Sequence, residues 1–305
     1  MPSNQTKQLD IQVAHLSRLG EWLYPEKSAT KRLTVATVAM QCARDVTENR
    51  QRISNIVQRI MREHPDTELV LFGEMVSGWY NPQAMIQAGS NISEPIPGKT
   101  TELLSDLSRK YAIFLSCGLS EKADDGYHNT QVLINPQGEI QAIHRKWNLK
   151  LAEREAGYVP GAKPITTTEI KGLKVAMMIC SDSAHPRTMR ELLRSGAEVI
   201  LFSLADDRDE KWFVAKAQAR MYDAWIVTAN RYGQEHHYWN GHTVISDPLG
   251  RLRKVSVDQE GYLVHTLKIA TGQSRARRLL RYTCVKAPLV VHILRNWRIL
   301  KSYYQ

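Results

Sequence analysis

The feature that most constrains the fold is a regular alternation of apolar and amphipathic segments, which begins at residue 33 and continues to residue 269. Residues 33–41 form an apolar, β-branched run typical of a buried strand, and residues 46–64 place apolar side chains at helical spacing. Residues 68–72 again have the pattern of a buried strand. Strands and helices that follow one another in this way predict an α/β fold.

The alternation continues through the rest of the chain. Turn residues at 135–138 (Asn-Pro-Gln-Gly) stand between two alternating runs and predict a β-hairpin. The other predicted elements are a helix at 100–111, strands at 112–121, 173–180, 197–204, 224–230 and 261–269, helices at 188–196 and 211–223, and a hairpin at 241–257.

The sequence predicts one central domain with an appendage at each end. We find no internal repeat and no linker between residues 32 and 268, which are therefore assigned to a single domain. Residues 1–31 are predicted to be an N-terminal extension, and residues 269–305 a basic C-terminal tail.

The net charge of +10 comes mostly from that tail, because residues 270–305 contain eight basic residues and no acidic ones. The remainder of the chain carries only about +2, and no broad basic face for nucleic acid is predicted. A tail that mixes basic and apolar residues could instead contact an anionic membrane surface.

The cysteine pattern and the absence of targeting signals predict a reduced, cytoplasmic setting. The four cysteines are far apart and include no CxxC pair, which argues against a disulfide framework and a structural zinc site. The sequence has no signal-peptide pattern and no apolar run of about eighteen residues. His185 and the pair His236-His237 lack partners at ligand spacing, so no metal site is expected.

Three residues suited to cysteine-based catalysis stand at or just beyond the ends of predicted strands. Glu74 follows the strand at 68–72, Lys146 follows the first hairpin, and Cys180 ends the strand at 173–180. A cysteine thiol has a pKa of about 8.5, so a nucleophilic cysteine needs a nearby cation or base. A glutamate can transfer the thiol proton to the leaving nitrogen, and a lysine ammonium can stabilise the oxyanion.

The motifs around these residues resemble those of the nitrilase, or carbon–nitrogen hydrolase, superfamily, whose machinery is a Glu, Lys, Cys triad in this chain order. FGEMVSGWY is similar to the glutamate motif, although Gly73 replaces the usual proline, and HRKWNL is close to the lysine motif. GLKVAMMICSDSAHPRTMRELLRSGAEVIL looks like the cysteine motif. The resemblance covers residues 32–268 and implies a four-layer α-β-β-α sandwich, with Glu74, Lys146 and Cys180 as the triad.

The resemblance also implies further site residues. Many members carry a second glutamate a few residues after the lysine, and the spacing here favours Glu153, with Glu155 as the alternative. Ser181 and His185, close to the nucleophile, are expected to contact the substrate. Arg187 stands where the family often has a glutamate, which removes any salt bridge made by that glutamate.

Aromatic residues beside the predicted catalytic groups are candidates for the substrate pocket. Trp79 and Tyr80 follow Glu74 closely, and Trp147 directly follows Lys146. We expect these three rings to contact the substrate. Trp212, Tyr238 and Trp239 could also shape the pocket, but about half of the six rings are expected to serve packing instead.

Together these features predict a hydrolase that cleaves a small amide or N-carbamoyl compound through a cysteine thioester, without a cofactor. True nitrilases tend to carry Trp-Glu after the nucleophile, whereas Ser181-Asp182 follows here, which favours amides over nitriles. The alternatives are an acyltransferase that passes the thioester to an amine, a nitrilase, and a catalytically silent, membrane-associated scaffold. The family generally pairs subunits, so we expect a homodimer or larger homo-oligomer with residues 269–305 in subunit contacts.

Overall fold

The computed structural model describes residues 31–80, 92–208, 211–256 and 258–269. In the first half of the chain, strands and helices alternate as the hydrophobic periodicity predicts. The elements are β1 (Lys31–Gln41), α1 (Val46–Glu63), β2 (Leu69–Leu71), β3 (Ser93–Glu94), α2 (Lys99–Tyr111), β4 (Phe114–Ala123), β5 (Gly126–Ile134) and β6 (Ile140–Arg145).

The second half continues the pattern and adds four short elements that the periodicity did not predict, namely an α-helix at Leu151–Glu155, strands at Thr166–Ile170 and Tyr238–Asn240, and a 3-10 helix at Cys180–Ala184. In order, the elements are α3 (Leu151–Glu155), β7 (Thr166–Ile170), β8 (Leu173–Ile179), a 3-10 helix (Cys180–Ala184), α4 (Pro186–Ser195), β9 (Val199–Ser203), α5 (Lys211–Tyr222), β10 (Trp225–Gln234), β11 (Tyr238–Asn240), β12 (Thr243–Ser246), β13 (Leu252–Ser256) and β14 (Gly261–Ile269).

Helix α1 shows how local sequence sets the predicted elements. The Asp45 side chain accepts a hydrogen bond from the Glu48 backbone N–H at 2.8 Å and caps the first turn. The apolar residues at helical spacing, Ile53, Val57 and Ile60, are fully buried against the sheet.

The first predicted hairpin is confirmed as the antiparallel pair β5–β6. Its turn is held by Asn135, whose side-chain oxygen accepts hydrogen bonds from the backbone N–H groups of Gln137 at 3.0 Å and Glu139 at 2.9 Å. Gly138 has a φ of 78°, which glycine adopts without a steric penalty.

The strand order brings the ends of several strands to one edge of the sheet. The main order is β6-β5-β4-β2-β1-β10-β9-β8-β7. Within this order, all neighbouring strands in the run β4-β2-β1-β10-β9-β8 are parallel. Strand β5 is antiparallel to both of its neighbours, β4 and β6. Two antiparallel steps restore the direction, so β6 runs parallel to β2 and β8, and the carboxyl ends of all three lie on the same side.

Helices cover the outer faces of the two halves of this sheet. Helices α1 and α2 pack on β1, β2, β4 and β5 in one apolar cluster, and α4 and α5 pack on β8, β9 and β10 in another. The two halves lie back to back, with β5 in contact with β8. The fold is the four-layer α-β-β-α sandwich that the resemblance implies.

Residues 33–267 form one compact unit. The predicted N-terminal extension and basic tail lie outside the described residues, apart from Lys31 and Ile269. Their boundaries and roles therefore stay predictions. Within the part of the chain that the structure describes, no helix is long and apolar enough to cross a membrane.

Candidate active site

Glu74 lies in the loop that leaves β2, and its side chain is completely buried. The backbone at this point is packed so closely that only glycine fits opposite it. A Cβ atom on Gly118 would lie 2.8 Å from the Glu74 Cα atom and 2.4 Å from the Gly73 carbonyl oxygen. Strand β4 therefore holds the glutamate loop through direct contact between backbones.

Lys146 follows β6 and points its ammonium group between two buried carboxylates. Its Nζ atom donates hydrogen bonds to Glu74 Oε1 at 2.7 Å and to Glu153 Oε1 and Oε2 at 3.0 and 2.8 Å. Burial lowers the pKa of Lys146, but the charge of Glu74, assisted by Glu153, more than offsets it and holds the pKa well above its usual value. The lysine is therefore charged at neutral pH.

Asn129 on β5 joins the same network and was not selected from the sequence. Its Nδ2 group donates hydrogen bonds of 2.7 Å both to Glu74 Oε1 and to Glu153 Oε1. The Asn129 backbone carbonyl oxygen accepts from the Lys146 backbone N–H at 2.7 Å. One asparagine thus fixes the spacing of both carboxylates and of the lysine backbone.

Cys180 directly follows β8 and begins the 3-10 helix, with a φ of 39° that non-glycine residues rarely adopt. Its thiol contacts the Ala205 carbonyl oxygen at 3.8 Å. The Ala205 N–H donates to Glu74 Oε2 at 2.9 Å. The nucleophile candidate and the glutamate therefore contact the same residue of the loop after β9, and the thiol lies within electrostatic range of Lys146.

Asp182 connects the cysteine turn to the lysine loop, and it is fully buried. Its Oδ1 atom accepts from the backbone N–H groups of Trp147 at 3.0 Å and Asn148 at 2.8 Å. Its Oδ2 atom accepts from the Ile179 N–H at 3.0 Å and lies 2.9 Å from His144 Nε2. This side chain ties Ile179, the residue before Cys180, to the backbone that follows Lys146.

A family model for carbon–nitrogen hydrolases matches residues 34–277 of the chain, well over half of its length. The chain belongs to the carbon–nitrogen hydrolase family. Two similar relatives are a probable nitrilase of Schizosaccharomyces pombe, 28% identical over 237 residues, and the omega-amidase NIT3 of Saccharomyces cerevisiae, 25% identical over 243 residues. Each alignment covers 74% of this chain and 84% of the relative.

The fold of this carbon–nitrogen hydrolase is also that of solved structures in the nitrilase superfamily. The crystal structure of Saccharomyces cerevisiae Nit3, described as a member of branch 10 of the superfamily, superposes with a TM-score of 0.72 at 23% sequence identity. The superposition covers 84% of this chain and 95% of Nit3. The expected four-layer fold is thereby confirmed.

The structure brings the four predicted catalytic residues of the hydrolase together, although their roles remain a proposal. Glu74, Lys146 and Glu153 form one buried ion-pair network, and Cys180 adjoins it through the loop after β9. Glu153 lies in the first turn of helix α3 and accepts from the Lys150 N–H at 2.8 Å, whereas the alternative, Glu155, is exposed.

The two aromatic residues after Glu74 take different places. Tyr80 is buried, and the charges of Glu74 and Lys146 act on its hydroxyl. Burial first, and then the charge of Glu74, raises its pKa well above the usual value. Trp79 turns to the other side, where its Nε1–H donates to the Cys42 carbonyl at 2.9 Å and Arg44 lies over its ring at 4.2 Å. The structure gives Trp79 a packing contact instead of a place beside the network.

The remaining predicted contacts lie around the cysteine turn. The rings of Trp147 and His185 meet edge to face at 4.4 Å, and Arg187 lies 5.3 Å from the Trp147 ring centroid. Ser181 is used internally, because its Oγ donates to the Asn148 carbonyl and its carbonyl accepts from the Asn148 side chain at 2.7 Å. Its side chain therefore braces the lysine loop.

A buried arginine, also not selected from the sequence, holds the loop that carries Glu74. Arg231 on β10 donates to the carbonyl oxygens of Glu74 at 3.0 Å, Met75 at 2.7 Å and Gly78 at 2.6 Å. Its charge is matched by Glu235 at 2.6 Å, with both side chains fully buried. Among the described residues, no group of three or more His, Cys, Asp or Glu side chains is arranged to hold a metal ion.

Proposed function

We propose that this carbon–nitrogen hydrolase cleaves the C–N bond of a small amide or N-carbamoyl compound through a thioester on Cys180. The observation that carries the proposal is the buried network in which Lys146 lies between Glu74 and Glu153. Ala205 links this network to the nucleophile, because its N–H donates to Glu74 and its carbonyl contacts the Cys180 thiol. A desolvated, prearranged cation of this kind is suited to stabilise an oxyanion. The amidase names of relatives agree with the substrate class.

In the first half of the proposed reaction, Glu74 takes the thiol proton while the Cys180 sulfur attacks the carbonyl carbon. The resulting tetrahedral oxyanion is stabilised by the Lys146 ammonium. When the intermediate collapses, the C–N bond breaks and the departing nitrogen takes the proton from Glu74. The acyl group remains on the sulfur as a thioester.

In the second half, a water molecule gives its proton to Glu74 and attacks the thioester carbon. Collapse of this second intermediate breaks the C–S bond, and the proton returns to the sulfur. Glu153 keeps the Lys146 ammonium in place, since it accepts two of its hydrogen bonds. Tyr80, Trp147 and His185 are proposed to contact the substrate. The packing of Trp79 and Ser181 supports a bracing role for them instead.

The test is a substrate screen with purified full-length protein and the Cys180→Ala variant as the blank. Small amides, N-carbamoyl amino acids and nitriles are supplied separately, and both ammonia and the acid product are measured. We expect Cys180-dependent release from amides or N-carbamoyl compounds and a mass increase on the Cys180 peptide equal to the acyl group. Activity that survives in Cys180→Ala would overturn the thioester mechanism.

Two other outcomes of the screen decide between the alternatives. Release of ammonia from nitriles alone would refute the amide preference. Rapid formation of new amides when an amine is added, with little free acid, would favour the acyltransferase. The homo-oligomeric assembly through residues 269–305 and the cytoplasmic location stay predictions from the sequence.

A further inference from the structure

Two buried aromatic side chains near the proposed nucleophile carry hydrogen-bond donors that the protein itself does not use. They are the Tyr80 hydroxyl and the Trp239 indole N–H, and neither has a hydrogen-bond partner within the described part of the chain. Tyr80 is 8% exposed and Trp239 is 5% exposed. A buried donor without a partner is costly, so such groups call for an explanation.

Both rings lie in one small apolar cluster that also contains Met75, Leu149 and Ala205. The Ala205 carbonyl is the group that contacts the Cys180 thiol at 3.8 Å, so the cluster adjoins the sulfur. The two rings meet edge to face with their centroids 5.7 Å apart and an interplanar angle of 84°. The two aromatic side chains therefore lie in the same cluster, beside the proposed catalytic residues.

The two rings are also held by one rigid support. The Tyr80 backbone N–H donates to Glu235 Oε2 at 2.8 Å, and the same carboxylate pairs with Arg231. Trp239 lies on β11 opposite Gly233 of β10, the strand that carries Arg231. Donors fixed in advance on a rigid frame lose little conformational entropy when they bind a ligand.

The charges of the neighbouring network indicate which acceptor fits. Glu74 and Glu153 together with Lys146 carry an excess of one negative charge while the thiol is protonated. An additional carboxylate beside this network would be repelled in a region of low dielectric constant. The negative charge also raises the pKa of Tyr80, after the larger effect of its burial, so Tyr80 remains a neutral hydroxyl donor.

We propose that Tyr80 and Trp239 form a two-donor subsite for an uncharged oxygen, such as a ketone or amide carbonyl, in the acyl chain of the substrate. The proposal rests on the proposed function, because it takes the acyl group to be the part of the substrate held beside Cys180. The substrate class is then a short amide with a second, neutral acceptor oxygen. Met75 and Leu149 contact the apolar carbons of the same chain.

The test measures binding to the Cys180→Ala protein by calorimetry, where no turnover occurs. The ligand pairs are levulinamide against pentanamide and acetoacetamide against butanamide, which differ only in the second carbonyl, and succinamate is the anionic analogue. We expect at least one ketone amide to bind about five- to tenfold more tightly than its alkyl partner. We expect succinamate to bind more weakly than levulinamide.

The same measurements with Tyr80→Phe and Trp239→Phe assign the preference to the two donors. Each variant keeps an aromatic ring, and each is expected to reduce the preference for the ketone to about twofold or less. Tyr238→Phe is the matched control, because its hydroxyl bonds to Asp258 and its side chain is 45% exposed. It should leave the ratio unchanged.

The subsite is refuted if no ketone amide is preferred, if the preference persists in both variants, or if succinamate binds more tightly than levulinamide. Thermal melting checks that each variant is folded. If Trp239→Phe unfolds, Tyr80→Phe, which removes a single oxygen atom, decides the question. Turnover of the same amides by the unsubstituted protein tests the proposed function separately, since hydrolysis can fail while the binding preference holds.

Discussion

Replacing Asp182 by asparagine should destabilise the protein far more than the loss of one surface charge would. The carboxylate accepts from four groups, the backbone N–H groups of Trp147, Asn148 and Ile179 and the ring of His144. An asparagine has one acceptor oxygen and one NH2 group. Two of the four donor groups must therefore face the NH2 group, which is itself a donor.

The best orientation keeps the asparagine oxygen toward Trp147 and Asn148 and turns the NH2 group toward Ile179 and His144. The histidine can change tautomer and accept a hydrogen bond, whereas the Ile179 N–H has no alternative and becomes a buried donor without a partner. An unsatisfied buried donor costs about 1–3 kcal/mol, and the loss of charge on the remaining bonds adds to it. We expect Asp182→Asn to lose about 3 kcal/mol of unfolding free energy and roughly 5–10 °C in Tm.

Urea denaturation followed by circular dichroism measures this change, and Asp106→Asn is the matched control. Asp106 forms an exposed ion pair with Arg109 at 2.6 Å, which should contribute less than about 1 kcal/mol. We also expect kcat to fall in Asp182→Asn, because the Ile179 backbone leads directly into Cys180. If Asp182→Asn and Asp106→Asn have the same stability, the carboxylate does not hold the two loops together.

Two further predictions concern the buried network and the cysteines. Glu153→Gln removes the carboxylate charge that faces the buried Lys146 ammonium, and it should cost about 3 kcal/mol in stability and roughly 100-fold in kcat. The exposed Glu155→Gln should change stability and kcat little. Equal effects of the two substitutions in activity assays and urea melts would contradict the assignment of Glu153. Burial raises the pKa of Cys42 to about 12, and it also raises the pKa of Cys117 well above the usual value. Both residues therefore remain protonated thiols at neutral pH. Iodoacetamide at neutral pH should therefore modify Cys180 before Cys42 or Cys117, as read by peptide mass spectrometry, and rapid modification of Cys42 in the folded protein would show that the reasoning is wrong.

The sequence predicted the elements whose structure depends on local periodicity and turn chemistry. Helix α1 spans Val46–Glu63, close to the predicted 46–64, because its apolar face repeats at helical spacing. The hairpin turn at 135–138 is set by its own asparagine and glycine. The short strand β7 was missed because an edge strand of five residues with exposed threonines has little hydrophobic pattern.

The catalytic candidates came from motif order combined with the placement of strand ends, and the partners that hold them could not be found in this way. Lys146 and Glu74 are 72 positions apart, and only the strand order brings them to 2.7 Å. Asn129 lies in a part of β5 that is buried on both faces, so the sequence pattern of the strand does not distinguish it from a packing residue. Asp182 had the clearest signal, a carboxylate two residues after the cysteine.

Trp79 and Tyr80 show the limit of proximity in sequence as a guide to the site. Both were predicted to contact the substrate because they follow Glu74 closely. The Trp79 indole donates to the Cys42 carbonyl, whereas the charges of Glu74 and Lys146 act on the Tyr80 hydroxyl, so only Tyr80 adjoins the buried network. The conformation of the loop that carries both rings depends on Arg231 and Glu235, which lie more than 150 residues further along the chain.

The departure from the family motif at Gly73 has a physical reason in this network. A Cβ atom at that position would lie 3.0 Å from the Asn230 carbonyl carbon and 3.1 Å from the Leu204 oxygen, so a proline would be crowded. Glycine leaves the backbone before Glu74 conformationally free, and the loop must be fixed by other means. Arg231 meets that need with hydrogen bonds to three carbonyl oxygens of the loop. The position of the proposed catalytic glutamate is therefore set by a buried charge on another strand, and the glycine and the arginine are best understood as one arrangement.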